Sequence, residues 1–149
     1  ATRKTAPGLR YFDKEAVEIG GGKKHRLRLD EMVMIKDNHI AIEDSLLSLI
    51  KKAKKKYRKF EVEVENTQDA ILAAKEGATI IMLDNFTPAQ IKKTIQTLKD
   101  QKLRNNVLLE ASGGINSKNI GKYGQTGVDI ISVGSITNSV IGIDMSLEI

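Results

Sequence analysis

The stretch from Phe60 to Asn85, FEVEVENTQDAILAAKEGATIIMLDN, decides the fold. FEVEVE alternates apolar and charged residues strictly, the period of a strand with two unlike faces. Thr67 then stands as a helix N-cap before QDAILAAKE, and Gly77 closes that helix. TIIML follows as a short apolar run, read as a buried strand. Strand, helix and strand at this spacing make a βαβ crossover and so a parallel sheet.

The pattern repeats on both sides. Upstream, MVMIK reads as a strand and a helix is predicted from about Asp44; earlier still, Asp13 to Ile19 forms a short helix closed by Gly20. Downstream, Thr87-Pro88-Ala89-Gln90 is a capping box with proline at the first helical position, and Ile91, Ile95 and Leu98 repeat behind it. VLLEA is the next strand, followed by a helix from about Asn116 to Tyr123 and the strand DIISV. Two α/β architectures fit this order: an open doubly wound sheet and a closed parallel barrel.

The strand ends separate them. MVMI runs into Lys36-Asp37-Asn38-His39, EVEV into Glu65-Asn66, IIML into Asp84-Asn85, VLLE into Ser112-Gly113-Gly114, and IISV into Gly134-Ser135. A single polar strand end marks only where the chain surfaces, but five such ends favour a shared site of the kind barrels build at that face. SGGI and VGSIT place small residues where backbone N–H groups can approach a phosphate. No G-x-G-x-x-G follows an early strand, which weighs against a dinucleotide-binding open sheet.

Composition narrows the chemistry. The 149 residues suit one domain, and the absence of cysteine excludes disulfides, thiol nucleophiles and thiolate metal sites. His25 and His39 are too few for a histidine-rich metal site. No run is long and apolar enough for a membrane span and no signal peptide is visible, so a cytoplasmic setting is the default expectation. The net charge of +5 owes much to KKAKKKYRK, Lys51 to Lys59. Leu46, Leu49, Ile50, Ala53 and Tyr57 form one apolar stripe there, so the lysines are read as a solvated helix face. No aromatics interleave with them to stack nucleic-acid bases.

Glu61, Glu63 and Glu65 share one side of their strand and Val62 and Val64 the other. In a barrel the valines would meet the outer helices and the acids the lumen, where like charges need cations, protons or a metal. Cations are at hand in Arg3, Lys4, Lys36 and the KKHRLR cluster, Lys23 to Arg28, which follows three glycines. His25, flanked by Lys24, Arg26 and Arg28, fits an anion pocket. The expected substrates are strongly anionic, at least one of them a phosphate ester.

Taken together, TRKTAPGLR, GGGKKHRLRL, MVMIKDNHI, EVEVEN, IMLDN, EASGGI and GVDIISVG resemble the quinolinate phosphoribosyltransferases, and DMSLEI resembles that family's usual ending. The resemblance implies a TIM-like parallel α/β barrel of fewer than eight strands, incomplete at its N-terminal side. Residues 1–149 would be its C-terminal catalytic portion, with an N-terminal domain and the earliest barrel elements outside them. It implies phosphoribosyl transfer from phosphoribosyl pyrophosphate to quinolinate with decarboxylation, magnesium as cofactor, and a homodimer or higher homo-oligomer binding neither nucleic acid nor membrane. Carried over by motif, Arg3, Lys4, His25, Arg26 and Lys36 form the quinolinate pocket, with Lys36 also catalytic. Glu65 and Asp84 are the acids at the magnesium and ribose, and Ser112, Gly113, Gly114, Gly134 and Ser135 contact the ribose phosphate. The family commonly has histidine after VGSIT, where Asn138 stands here. Two other functions fit the residues less fully: a phosphosugar aldolase or isomerase with Lys36 as Schiff-base lysine, and a basic RNA-binding module.

Overall fold

The computed structural model describes residues 1–43 and 45–148. Five parallel strands stand in chain order in one sheet: β1 (Val33–Ile35), β2 (Phe60–Val64), β3 (Ile80–Asp84), β4 (Leu108–Ser112) and β5 (Ile130–Ile131). The helices are α1 (Arg10–Ile19), α2 (Asp37–Glu43), α3 (Leu46–Lys56), α4 (Thr67–Glu76), α5 (Pro88–Asp100), α6 (Ile120–Gly124) and α7 (Ser135–Asn138). Strict sequential order, with every described neighbour pair parallel, is what successive βαβ units produce.

One face of the sheet makes the core. Val62, Val64, Ile81, Leu83 and Leu109 pack there with Ile50 and Ala53 of α3, Ala70, Ala73 and Ala74 of α4, and Ile91, Ile95 and Leu98 of α5. The valines of β2 therefore meet the helices, as their alternation requires. Small alanines let α4 lie close to β2 and β3. Each fully enclosed Ile or Leu contributes roughly 1.5–3 kcal/mol of apolar burial. The lysines of α3 are exposed, as the stripe predicts, although Tyr57 lies beyond the helix and is exposed with them.

Several boundaries differ from the sequence reading. The first residue of the helix expected from Asp44 lies outside the described residues; Ser45 caps α3, accepting from Ser48 N. Asn66, not Thr67, caps α4, its side chain accepting from Asp69 N, while Gly77 ends it in the left-handed conformation at φ 92°. The Thr87–Gln90 capping box and Pro88 stand as read. α2 was not anticipated, and α1 begins three residues earlier than expected, directly after the Pro7-Gly8 turn. The helix expected from Asn116 starts only at Ile120, because Asn116 Oδ1 accepts from Lys118 N and Asn119 Oδ1 accepts from Asn116 N, closing a side-chain turn instead.

Candidate active site

The other face of the sheet carries the polar residues. Register places Glu63, Met82, Glu110 and Ile130 side by side, and Asp84 beside Ser112. The N-terminal segment lies across this face. Residues 1–5 form no strand; the backbone bends at Arg3. A straight strand would send Arg3 and Lys4 to opposite sides, but with the bend both line the same cleft. Thr137 Oγ1 donates to Lys4 O at 2.8 Å, tying the segment to α7. Lys14, fully buried, donates to the carbonyls of Ala1 and Lys24 and anchors it from behind; burial and the neighbouring Arg10 and Arg3 push its pKa down.

Two clefts meet at the strand ends. The first, about 260 Å³, is lined by Arg3, Lys4, His25, Arg26 and Lys36 together with Glu63, Asp84 and Ser112. The second, about 370 Å³, is lined by Ser112, Gly113, Gly114, Gly134 and Ser135 with Asn116 and Asn138. Lys4, Asp84 and Ser112 belong to both, so the two clefts are continuous. The four cations Arg3, Lys4, Arg26 and Lys36 and the His25 ring, read as one anion pocket, are brought together, and so are the five small residues read as a phosphate cradle. A larger cavity of about 1040 Å³ opens beside β5 and shares His25 and Arg26 with the first cleft; its walls include Val17, Ile80, Ile130 and Ile136.

Local structure explains how each side chain arrives. Lys36 directly follows β1; its backbone N–H donates to His39 Nδ1 at 3.0 Å, and its ammonium pairs with Glu63. Arg26 is buried with Nη1 on Met32 O at 2.8 Å and Nη2 against Met34 Sδ at 3.3 Å. Burial lowers its pKa while Glu61 raises it. Other members of the KKHRLR cluster turn away: Lys24 pairs with Glu15 and Glu18, and exposed Arg28 pairs with Asp30 at 3.2 Å. In the cradle Gly113 and Gly114 both have positive φ, 92° and 62°, a conformation that glycine adopts without the strain a side chain would bring. Gly113 also lies against Asn85, whose backbone N–H donates to Ser112 O at 2.9 Å.

Glu65 is not where the motif suggested. It lies beyond β2, is exposed and lines neither cleft, whereas Glu63 stands beside Lys36 in the first. The sequence reading also passed over Glu110. It is fully buried on β4, and its pKa is raised by burial and by the Glu61 carboxylate, with Ser132 and His25 opposing. A glutamate inside the apolar run VLLEA was the available signal.

Residues 1–148 match the quinolinate phosphoribosyl transferase C-terminal domain. The chain belongs to that family. It is 51% identical over 152 residues to a probable nicotinate-nucleotide pyrophosphorylase [carboxylating] of Methanothermobacter thermautotrophicus, covering 100% of this chain and 54% of that protein. The rat nicotinate-nucleotide pyrophosphorylase [carboxylating] is 38% identical, over 99% of this chain and 50% of that protein. The solved nicotinate-nucleotide pyrophosphorylase of Francisella tularensis superimposes with a TM-score of 0.88 at 41% identity, covering 97% of this chain and 51% of that one. This quinolinate phosphoribosyl transferase domain thus spans about half the length of the relatives it matches.

Proposed function

We propose that the protein containing this domain joins quinolinate to phosphoribosyl pyrophosphate, giving nicotinate mononucleotide, pyrophosphate and carbon dioxide. The observation that carries the proposal is the pair of continuous clefts. One is walled by cations suited to a dicarboxylate, the other by Gly/Ser turns suited to a phosphate, and Asp84 stands where they meet. The names of the 51% and 38% identical relatives agree with it.

In this proposal Arg3, His25 and Arg26 hold the quinolinate carboxylates, and Lys36 steers the ring so that its nitrogen faces C1 of the ribose. Most of the acceleration is positioning. As pyrophosphate departs, the sugar becomes oxocarbenium-like, and the carboxylates of Glu63 and Asp84 stabilise that positive charge. After transfer the cationic ring nitrogen accepts the electron pair released by decarboxylation, and a proton replaces the lost carboxylate. The cradle of Ser112, Gly113, Gly114, Gly134 and Ser135 anchors the 5′-phosphate.

Magnesium fits the donor set. Asp84 accepts from Asn85 Nδ2 on Oδ2, and Glu63 accepts from Lys36 on Oε2. Each thereby keeps a second oxygen for a hard cation. Asp84 and Glu63 would hold it, Glu63 replacing the Glu65 of the motif reading, and the ion would supply charge neutralisation for the pyrophosphate leaving group.

We further propose that the five strands are part of a barrel completed by chain outside residues 1–149, working as a homo-oligomer in the cytoplasm. Among the described residues, no helix is long and apolar enough to cross a membrane. Calorimetric titration of the full-length protein with quinolinate tests the function. Binding is expected, with Arg3→Ala and Arg26→Ala weakening it at least tenfold and Lys36→Ala reducing both affinity and turnover; unchanged titrations in all three variants would refute the assignment.

A further inference from the structure

His25, Glu61 and Glu110 meet beneath the first cleft. His25 Nε2 lies 3.4 Å from Glu61 Oε2 and 3.7 Å from Glu110 Oε2, and the ligand atoms of all three lie within 4.8 Å of one another. Both carboxyls are fully enclosed, and neither their four oxygens nor His25 Nε2 makes a well-formed hydrogen bond among the described residues, although the Ser132 hydroxyl lies near enough to Glu110 to oppose the rise in its pKa. Unsatisfied buried polar atoms are costly and uncommon, and several at one point call for a use. His25 itself adopts a left-handed backbone conformation, φ 55°, which a non-glycine residue avoids unless its surroundings hold it there.

We propose that Glu61 and Glu110 are positioning residues that draw the Nε2–H edge of the His25 ring down into the sheet, leaving Nδ1, protonated once a substrate carboxylate is bound, to donate to that carboxylate. The inference rests on the functional reading above and adds to it two side chains that touch no substrate. Two enclosed carboxyls this close need a donor or a cation between them, and the His25 Nε2 edge, 3.4 and 3.7 Å away, is the donor nearest both. A divalent metal at the same three residues is the competing occupant, since their spacing would admit one. The surroundings disfavour it. Arg26 and Arg3 lie close enough to act on each other through space, and Lys36 lines the same cleft, so a further dication would enter a region already rich in fixed positive charge.

Two measurements on the full-length protein test this. The first needs no ligand: with 15N-histidine labelling, His25 (assigned with His25→Ala) is expected to carry a proton on Nε2, and Glu110→Gln is expected to shift that nitrogen. A bare Nε2, or a resonance indifferent to Glu110→Gln, would overturn the proposal. The second is a double-mutant cycle read by quinolinate affinity. Glu110→Gln and His25→Ala should each raise Kd about tenfold, and together no more than about twofold beyond His25→Ala alone. A hundredfold loss in the double variant would mean that Glu110 acts independently of His25. If the unmutated protein binds no quinolinate, the functional reading fails, while the labelling result still decides the orientation of the ring. Glu61→Gln runs in parallel, and failure of both isosteric variants to fold would make the pair structural and overturn the proposal. So would one equivalent of zinc, manganese or cobalt that co-purifies with the protein and is lost in His25→Ala.

Discussion

Gly113→Ala and Gly114→Ala differ by one position and should behave very differently. Both glycines have positive φ, 92° and 62°, so alanine at either costs about 1 kcal/mol of left-handed strain. At Gly114 nothing lies within 4 Å of the added Cβ, and that strain is the whole effect. At Gly113 the Cβ would sit 2.2 Å from Asn85 Oδ1, 2.6 Å from Asn85 N and 2.8 Å from Asn85 Cα. The side-chain oxygen can swing aside, but the backbone atoms cannot. An ordinary contact begins at 3.4 Å, so the turns after β3 and β4 must part by about 3.4 − 2.6 = 0.8 Å. Such overpacking adds about 1–3 kcal/mol, for a total of roughly 2–4 kcal/mol. The shift also stretches the Asn85 N–H to Ser112 O bond, 2.9 Å long, and moves Asp84 away from Ser112. Misplacement on the order of 1 Å costs about a hundredfold in rate. Urea denaturation of the full-length variants, with turnover measured alongside, checks both parts. Equal destabilisation by the two substitutions, or wild-type turnover in Gly113→Ala, would refute the close-approach argument.

Three further outcomes follow from named contacts. Asn66→Ala should destabilise by about 1 kcal/mol through loss of the α4 cap, and Asn66→Ser should recover nearly all of it, as read by urea midpoints. Glu110 has its pKa raised above the ordinary 4.5, so over the window above that value the folded chain keeps a proton that the unfolded chain releases. Its contribution to stability is therefore complete below 4.5 and declines as pH rises through the folded pKa; Glu110→Gln should flatten that decline in denaturation series across pH. Lys51→Glu with Lys55→Glu reverses charge on the exposed face of α3 and should leave quinolinate affinity within about twofold, whereas an RNA-binding module would lose its ligand.

Glu110→Gln is expected to gain stability at neutral pH while losing affinity. That opposition is what a carboxyl retained for its effect on a binding residue would show, and a packing residue would show the reverse. It also explains why the site was only partly legible. The cations and the glycine turns announce themselves by residue type and by their place at strand ends. Glu110 does not, because its partner Glu61 lies on a different strand and His25 on a loop, and only the sheet's register and the loop's path bring them together. That the bend falls at Arg3 was not legible for a related reason: the tie from Thr137 to the Lys4 carbonyl spans nearly the whole chain.

The misplacement of Glu65 has a more local cause. Alternation correctly puts Glu61, Glu63 and Glu65 on one face, but it does not say where the strand stops. With Thr67 as the helix cap, β2 could have continued past Glu65, and the register of Val64 with Leu83 would have set Glu65 level with Asp84. The cap is Asn66 instead. Its side chain must reach back over the first turn to accept from Asp69 N at 2.9 Å, and pairing in β2 ends at Val64. Glu65 is carried out of the sheet into solvent, and Glu63 becomes the last acid of the strand to remain inside, where Lys36 meets it. Asparagine and threonine cap comparably well, so residue preference alone could not separate adjacent candidates. The motif carried over Glu65, and because side chains return to the same face of a strand every second residue, alternation could not tell it from Glu63; where β2 ends does.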